Sequence, residues 1–278
     1  SSNPSGGAGA NGPCVSIVSL GQPGNYGDNQ NDSTTAFQTW LQSKSNAVLQ
    51  MDTTPTTITA DFLAQYQVVV IQGLMDNVKS PTTFWQPTPD EASALQTWVE
   101  AGGGLISMTG YTGAVQEVTP VNTLLSFTNI QYNMDDIFQN CDNAVYMNHC
   151  YCWGSSVPFT GFVQSTPIGA NITQVGIFHG RSIQAPSDAT IVAKDAATGA
   201  VLGVTKQIGM GRVFVFADEW VTYTSQWAGS SSTQSDMTCT SAGLTGDKYF
   251  QVPQFWYNSF KWVSQRTCFD IMDMSIVK

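Results

Sequence analysis

The chain has 278 residues, a formal net charge of -10 and only 11% charged residues. Its ten Lys and Arg residues are scattered singly and make no basic stripe, which argues against nucleic acid or an anionic membrane surface as a partner. No stretch approaches the roughly 20 apolar residues that a membrane span needs. The surface must take its polarity mostly from Ser, Thr, Asn and Gln, which fits a secreted, glycan-facing protein better than a cytosolic one.

Residues 1–13 are rich in Gly and Ser and lack an apolar segment, which predicts a flexible linker. Such a start is what remains after a signal peptide is removed. In a bacterial lipoprotein it would tether the domain to a lipidated cysteine, although an ordinary secreted terminus would look similar. We therefore expect residues 14–278 to form a single domain that is extracellular, periplasmic or attached to the cell surface.

The first half of this domain shows the pattern of an α/β fold. Apolar runs predict strands at 15–20, 47–51 and 68–71, with a helix at 34–44 between the first two. A further strand is predicted at 105–108, directly after three glycines. Short buried strands that alternate with helices indicate a mostly parallel sheet.

The helix before those glycines is predicted residue by residue. Thr88 suits the N-cap, Pro89 the first helical position, and Glu91 can complete a capping box. Gly102 supplies the left-handed residue that ends the helix. A strand, a helix and a strand joined by short turns form a βαβ unit, because parallel strands need a crossover.

The second half is less regular. A helix is predicted at 121–125, followed by an irregular, cysteine-bearing insertion at about 131–161. Apolar or alternating runs at 190–193, 201–206 and 212–217 predict late strands, of which the last two form a β-hairpin. A closing helix holds Phe255, Phe260, Trp262 and Val263. No internal repeat or second linker interrupts the chain.

Cysteine usage supports an oxidising compartment. There are six, and an even number without paired zinc-finger spacing indicates up to three disulfides: Cys14, Cys141, Cys150, Cys152, Cys239 and Cys268. Fifteen connectivities exist. We favour one bridge closing the loop from Cys141 to Cys152 and one joining Cys14 to Cys268. The alternative is a metal site at His149 with Cys150 and Cys152.

Several segments together resemble a known superfamily. In order they read YQVVVIQGLMD, DEASALQTWVEAGGGLISMTGY, NITQVGIFHGRSI, GMGRVFVFADEW and FWYNSFKWV. This combination resembles the class I glutamine amidotransferase-like superfamily, particularly its trehalose-utilisation-like and uncharacterised secreted branches. The resemblance implies a flavodoxin-like sheet with helices on both faces, and ligands in such sheets bind at the carboxyl ends of the strands.

The residues that would make this fold a glutaminase are missing from the pattern. Active relatives hold a cysteine in a G-x-C-x-G elbow, and aligning that elbow on Gly110 puts Met108 at the nucleophile position. A thioether has no proton to lose and cannot be activated by a base. The segment after the late strand, 217–220, contains no histidine. Ser107 is a poor substitute, because one place earlier in the strand it would point away from the site.

Polar and aromatic residues nevertheless follow the predicted strands. Carboxylates beside aromatic rings are typical of sugar sites, because Tyr and Trp offer flat apolar faces with a polar edge. The candidate ligand-binding residues, some taken from the resemblance, are Tyr26, Asp76, Tyr111, His179, Arg181, Asp218, Glu219 and Trp220. The alternative is that these carboxylates cap helices and the rings pack the rim.

Two functions follow. The first is a secreted or cell-surface, non-catalytic module that binds a glycan or surface protein or serves a structural role. The second is a secreted carbohydrate-active hydrolase that uses Asp76, Asp218 or Glu219, for which two carboxyl groups about 5 to 9.5 Å apart would be needed. Neither requires an organic cofactor.

Calcium is a further possibility. The oxygen-rich runs containing Asp28 with Asp32 and Asp135 with Asp136 would suit it, because calcium accepts carboxylates and amide carbonyls together. Neither run has EF-hand spacing. The alternative is an Asn/Asp-rich turn without an ion.

Overall fold

The structure is a computed structural model that describes residues 14–21, 34–44, 47–76, 83–109, 117–137, 157–177, 180–223 and 251–265. The helices in these ranges are α1 (Thr35–Lys44), α2 (Ala60–Leu63), α3 (Pro89–Glu100), α4 (Val118–Leu125) and α5 (Val252–Ser264). The strands are β1 (Ser16–Leu20), β2 (Val48–Asp52), β3 (Val68–Ile71), β4 (Gly104–Ser107), β5 (Gln131–Tyr132), β6 (Val157–Phe159), β7 (Val175–Ile177), β8 (Ile183–Gln184), β9 (Thr190–Lys194), β10 (Val201–Ile208) and β11 (Gly211–Phe216).

Seven strands form one sheet in the order β2-β1-β3-β4-β11-β10-β9. The first five are parallel, β10 is antiparallel to its neighbour β11, and β9 is antiparallel to β10. This arrangement confirms the predicted α/β fold, its flavodoxin-like parallel core and the late hairpin of β10 and β11. The chain moves to β2 on one side of β1 and to β3 on the other, so the order reverses next to β1.

Helices cover both faces of the sheet. The first face is covered by α1 and α5, whose rings stack: Phe37 lies 4.4 Å from Trp256 between centroids. The second face is covered by α2, α3 and α4, through buried residues such as Leu95 and Val121. Strands β3 and β4 are fully buried between these layers, which explains their continuous apolar runs.

Helix α3 begins as predicted. Thr88 Oγ1 accepts a hydrogen bond from the Glu91 amide at 3.2 Å, and Glu91 Oε2 accepts one from the Thr88 amide at 2.8 Å. Gly102 has φ 117°, a conformation that favours glycine at the helix end. The predicted capping box and βαβ unit are therefore confirmed.

Other boundaries differ from the prediction. Helix α4 begins at Val118, three residues earlier than predicted, and the four-residue α2, capped by Thr59, was not predicted at all. Such a short helix carries too little periodicity to be recognised. In the insertion, β5 pairs with β8 and β6 with β7, while 138–156 lies outside the described residues.

Several sequence predictions lie outside the described part of the chain. They include the linker at 1–13 and every cysteine except Cys14, so the disulfide pairings and the metal alternative stay predictions. Within the described ranges, no helix is both long enough and apolar enough to span a membrane.

Candidate functional site

The position that would hold a nucleophile lies at the end of β4 and is closed. Met108 is fully buried, and its amide donates to the Ile71 carbonyl at 2.7 Å. The neighbouring Ser107 is also fully buried, with Oγ 3.1 Å from the hydroxyl of Tyr132, which itself donates to the Phe216 carbonyl. This end of β4 therefore presents a buried thioether and a hydrogen-bonded hydroxyl.

Glu219 lies at the same edge, in the short 3-10 turn that follows β11. Its side chain is inside the protein, and both carboxylate oxygens accept hydrogen bonds: Oε2 from the Gly73 amide at 2.6 Å and Oε1 from the Tyr223 hydroxyl at 3.0 Å. Its own amide donates to the Thr109 carbonyl at 3.0 Å. Glu219 thus joins the carboxyl ends of β3, β4 and β11.

A buried ion pair continues this set of contacts. Glu117, at the start of α4, accepts from the Thr109 hydroxyl at 3.0 Å and from Arg181 Nη2 at 3.4 Å, and the two charged side chains are 1% and 4% exposed. Arg181 also donates to the Asp135 carbonyl through its side chain and to the Ala217 carbonyl through its amide.

We call the six residues joined in this way the strand-end network: Gly73, Thr109, Glu117, Arg181, Glu219 and Tyr223.

Burial perturbs the acidity of the network. The pKa of Glu219 is raised from its ordinary value of 4.5 to about 7, chiefly by loss of solvation and to a smaller extent by the negative charge of Glu117. The hydrogen bonds from Gly73 and Tyr223 act in the opposite direction. Burial likewise raises the pKa of Tyr132 well above its ordinary value. The positive charge of Arg181 balances the negative charge of Glu117. Within the strand-end network, Glu219 is therefore the carboxylate that has no cationic partner.

Two other predicted residues, Asp218 and Trp220, flank Glu219. Asp218 is 1% exposed and caps the 3-10 turn, because Oδ1 accepts from the Trp220 amide at 3.0 Å. The Trp220 ring is half-buried and packs 4.5 Å from the Tyr223 ring between centroids. Asp218 therefore has the capping role that was the alternative to ligand binding.

Asp76 and the predicted calcium ligand Asp135 form hydrogen bonds within the protein. Asp76 follows β3 and is 1% exposed, and its amide donates to the Thr83 carbonyl. The Asp135 carboxylate accepts from the amide and the hydroxyl of Ser182. Among the described residues, no group of three or more His, Cys, Asp or Glu side chains is placed to hold a metal ion. Asp136 is near Asp135, but Asp28 and Asp32 lie outside the described residues.

The structure therefore brings together only part of the predicted site. Arg181, Asp218, Glu219 and Trp220 meet at the carboxyl end of β11. Tyr26, Tyr111 and His179 lie outside the described residues.

Four residues of this edge were not predicted from the sequence: Gly73, Glu117, Tyr132 and Tyr223. Each comes from a different element, and none belongs to a motif. A glycine two residues after the buried strand β3 was the one available signal, because such a residue lets another chain segment approach the backbone. A Cβ at Gly73 would lie 3.1 Å from Glu219 Oε2.

Comparisons with known proteins find the same fold in solved structures. No model of a known protein family matches the chain, and no curated protein matches it. Solved structures do match over most of their length. The mmIFT52 N-terminal domain has a TM-score of 0.58 at 14% identity, covering 89% of this chain and 97% of that one.

Two bacterial structures match in the same way. Cytoplasmic protein STM1381 from Salmonella typhimurium LT2 has a TM-score of 0.55 at 16% identity, covering 89% of this chain and 99% of its own. A putative ThuA-like protein from Bacteroides uniformis has a TM-score of 0.50 at 12% identity, covering 94% and 97%. These similarities show the fold alone. They agree with the flavodoxin-like architecture that the resemblance implied.

Proposed function

We propose that this protein is a secreted or cell-surface, non-catalytic module with an amidotransferase-like fold, which binds a glycan or a surface partner at the carboxyl edge of its sheet. The observation that carries the proposal is the closed end of β4, where Met108 is buried at the nucleophile position. A buried thioether neither attacks a substrate nor transfers a proton.

The engagement of the strand-end carboxylates supports the non-catalytic part. An acid or base in catalysis must reach the proton that it transfers. Glu219 has both oxygens bonded within the protein, Asp218 caps a turn, and Glu117 is paired with Arg181. These groups hold the ends of the strands together, which suits a rigid platform for loops that contact a partner.

The sugar-binding part rests on the aromatic residues of the same edge. Trp220 is half-buried at the end of β11, where its ring packs against Tyr223 and its indole nitrogen is buried. Such a ring gives an apolar platform for the face of a sugar. Tyr26, Tyr111 and His179 follow or approach the same edge in sequence and are proposed to complete the binding surface.

The extracellular address rests on composition. Six cysteines and few lysines favour secretion, and disulfides are part of this proposal. Intact-mass measurement of denatured, alkylated protein tests the disulfides. We expect no free thiol, and two or more alkylated cysteines in protein purified without reductant would contradict this address.

The alternative function is a secreted carbohydrate-active hydrolase. One observation favours it: the pKa of Glu219 is raised to about 7, as for a general acid in a glycosidase. Because Glu219 is buried and accepts two hydrogen bonds within the protein, the hydrolase is the second candidate and not the first. Release of reducing sugar from a polysaccharide panel that is lost in Glu219→Gln would establish this alternative in place of the binding module.

A glycan array tests the proposed function directly. The purified domain should bind at least one glycan class, and Trp220→Ala or Tyr111→Ala should abolish that binding. Trp262→Ala is a matched control, because Trp262 is also half-buried but lies beside Arg212 at the amino end of β11. Equal loss in all three variants would indicate unfolding instead. A blank array, checked with folded protein by circular dichroism, would contradict glycan binding.

A further inference from the structure

One surface turn carries a sequence triplet that the strand-end network does not use. The triplet is Asn171-Ile172-Thr173, which has the form Asn-x-Ser/Thr of acceptors for N-linked glycans. It lies just before β7, within the described residues. Because so short a motif also arises by chance, the surrounding structure must decide whether it is used.

The side chains of the triplet alternate between the surface and the core. Asn171 and Thr173 are exposed, whereas Ile172 is fully buried. Ile172 belongs to the same core cluster as Ile168 and Phe255, on the first face of the sheet. The turn is therefore anchored by its central residue, and the two residues that define the motif lie at the surface.

The conformation of Asn171 offers a purely structural reason for an asparagine. Its φ is 60°, in the left-handed region that asparagine enters more readily than most residues. Its carbonyl accepts a hydrogen bond from Gln251 Nε2 at 3.0 Å. Among the described residues, however, no hydrogen bond involves the Asn171 side-chain amide. The turn uses the backbone of Asn171 and leaves its amide nitrogen at the surface.

The third residue of the triplet is bonded to the start of α5. Gln251 Oε1 accepts from the Thr173 hydroxyl at 2.6 Å and also from the Thr173 amide. The Gln251 amide donates to the Gln174 carbonyl at 2.9 Å. Gln251 follows Thr173 by 78 residues. The hydroxyl of the motif is therefore engaged in the folded protein and becomes so only when α5 packs on the turn.

A second residue of α5 holds the same turn. Asn258 Nδ2 donates to the Ile168 and Ala170 carbonyls, both at 2.8 Å. Asn258 is 8% exposed, so these bonds lie inside the protein. The contacts that fix the turn thus come from Ile172, Gln251 and Asn258, and none of them uses the Asn171 side chain.

We infer that Asn171 is an N-glycosylation site, and that its glycan is transferred while the chain enters the secretory pathway, before α5 docks on the turn. This inference rests on the extracellular address proposed above. The donor is an oligosaccharide joined to a lipid through pyrophosphate. Asn171 Nδ2 gives a proton to a base of the transferase and bonds to the anomeric carbon of the sugar. The bond from that carbon to the pyrophosphate oxygen breaks, and the lipid pyrophosphate leaves.

The position suits a bulky, hydrated group. An N-linked glycan is large and solubilising and needs a surface position. Asn171 meets this requirement, because it is exposed and its side chain holds no part of the turn. A glycan there would also add hydrated surface to a chain in which only 11% of residues are charged.

Translation of the full chain behind a secretory leader, with membranes of the endoplasmic reticulum present, tests the acceptor. Chymotrypsin cuts after aromatic residues and releases the peptide 163–178. In chains protected from added protease by the membranes, this peptide should carry a glycan. A peptide-N-glycosidase in heavy-oxygen water should then leave labelled aspartate in place of Asn171. Unmodified Asn171 in these imported chains would overturn the inference.

The design separates this result from the proposed function. The leader supplies entry into the membranes, so the outcome depends on the triplet, whereas the thiol measurement tests the extracellular address. Peptide mapping is needed because a second triplet of the same form, 31–33, lies outside the described residues.

Variants of the triplet provide matched controls. Asn171→Asp removes the amide nitrogen, and Thr173→Val removes the hydroxyl, so each should abolish modification of the peptide 163–178. Thr173→Ser keeps a hydroxyl and should remain modified. Loss of modification in Thr173→Ser together with its persistence in Thr173→Val would overturn the inference.

The order of events has a test of its own. Folded, unglycosylated protein given to the same membranes after detergent treatment should receive at least about tenfold less glycan at Asn171 than the nascent chain, because local unfolding must first release Thr173. Gln251→Ala should reduce this difference. Equal modification of nascent and folded wild-type protein would overturn the inferred order.

Discussion

The Gly73 amide donates a 2.6 Å hydrogen bond to Glu219 Oε2, across 146 residues of sequence, and this contact joins the end of β3 to the turn after β11. The donor lies in a position where a side chain would crowd the carboxylate. It fixes a buried acid between three strand ends. That acid determines how the stability of the domain should depend on pH.

The first prediction concerns that pH dependence. Because the pKa of Glu219 is about 7 when folded and 4.5 ordinarily, the folded state holds a proton between these values that the unfolded state has lost. The contribution of Glu219 to stability should therefore fall as pH rises from about 4.5 to 7. The difference corresponds to about 3 kcal/mol at most.

Glu219→Gln tests the sign of this effect. Glutamine resembles the protonated acid, accepting from Gly73 and donating to Tyr223. In urea unfolding, the variant should match the wild type near pH 5 and exceed it near pH 8. Glu100→Gln, at an exposed acid on α3, is the control and should leave the pH dependence unchanged. A variant less stable than the wild type at pH 8 would contradict the prediction.

The second prediction concerns the buried ion pair. Arg181→Met leaves Glu117 buried without its cationic partner, which should lower the free energy of unfolding by about 3 to 5 kcal/mol. Adding Glu117→Gln should recover a large part of that loss, because no charge then remains uncompensated. A double-mutant cycle measured by denaturant unfolding gives the coupling. Additive effects of the two changes would show that the pair does not interact.

The third prediction concerns the start of α3. Thr88→Ala removes the side chain that accepts from the Glu91 amide and should lower the free energy of unfolding by about 1 kcal/mol. Thr97→Ala in the same helix is the control. Its hydroxyl bonds back to the Ser93 carbonyl, so alanine there should be neutral or stabilising. Thermal unfolding distinguishes them, and equal effects at both positions would argue against the capping role.

The parts of this fold that could be predicted from sequence are those encoded locally. The β3-α3-β4 unit was readable because Thr88, Pro89, Glu91 and Gly102 mark the helix within fifteen residues, between two continuous apolar runs. Parallel pairing then followed from the need for a crossover. The hairpin of β10 and β11 was visible for the same reason.

The strand-end network could not be predicted, because its partners are distant in sequence. Glu117 meets Arg181 across 64 residues, and only Arg181 lies in one of the segments that carry the resemblance. Glu219 was identified as a strand-end carboxylate, but its burial and raised pKa depend on Gly73, Tyr223 and Glu117 together. Sequence indicated that a carboxylate lies at this edge, and packing decided that it is internal.

Glutamine hydrolysis by the wild type and by Met108→Cys is the measurement that tests the non-catalytic assignment most directly. Both proteins should release no ammonia above a buffer control. The introduced thiol would replace a buried methionine, and burial raises a thiol pKa that ordinarily is about 8.5, so thiolate would be scarce at neutral pH. No histidine follows β11 in the turn at Asp218–Tyr223 to activate it. The account would be contradicted if the wild type hydrolysed glutamine above the buffer control and Glu219→Gln abolished that activity. This result would show that the strand edge is an active site.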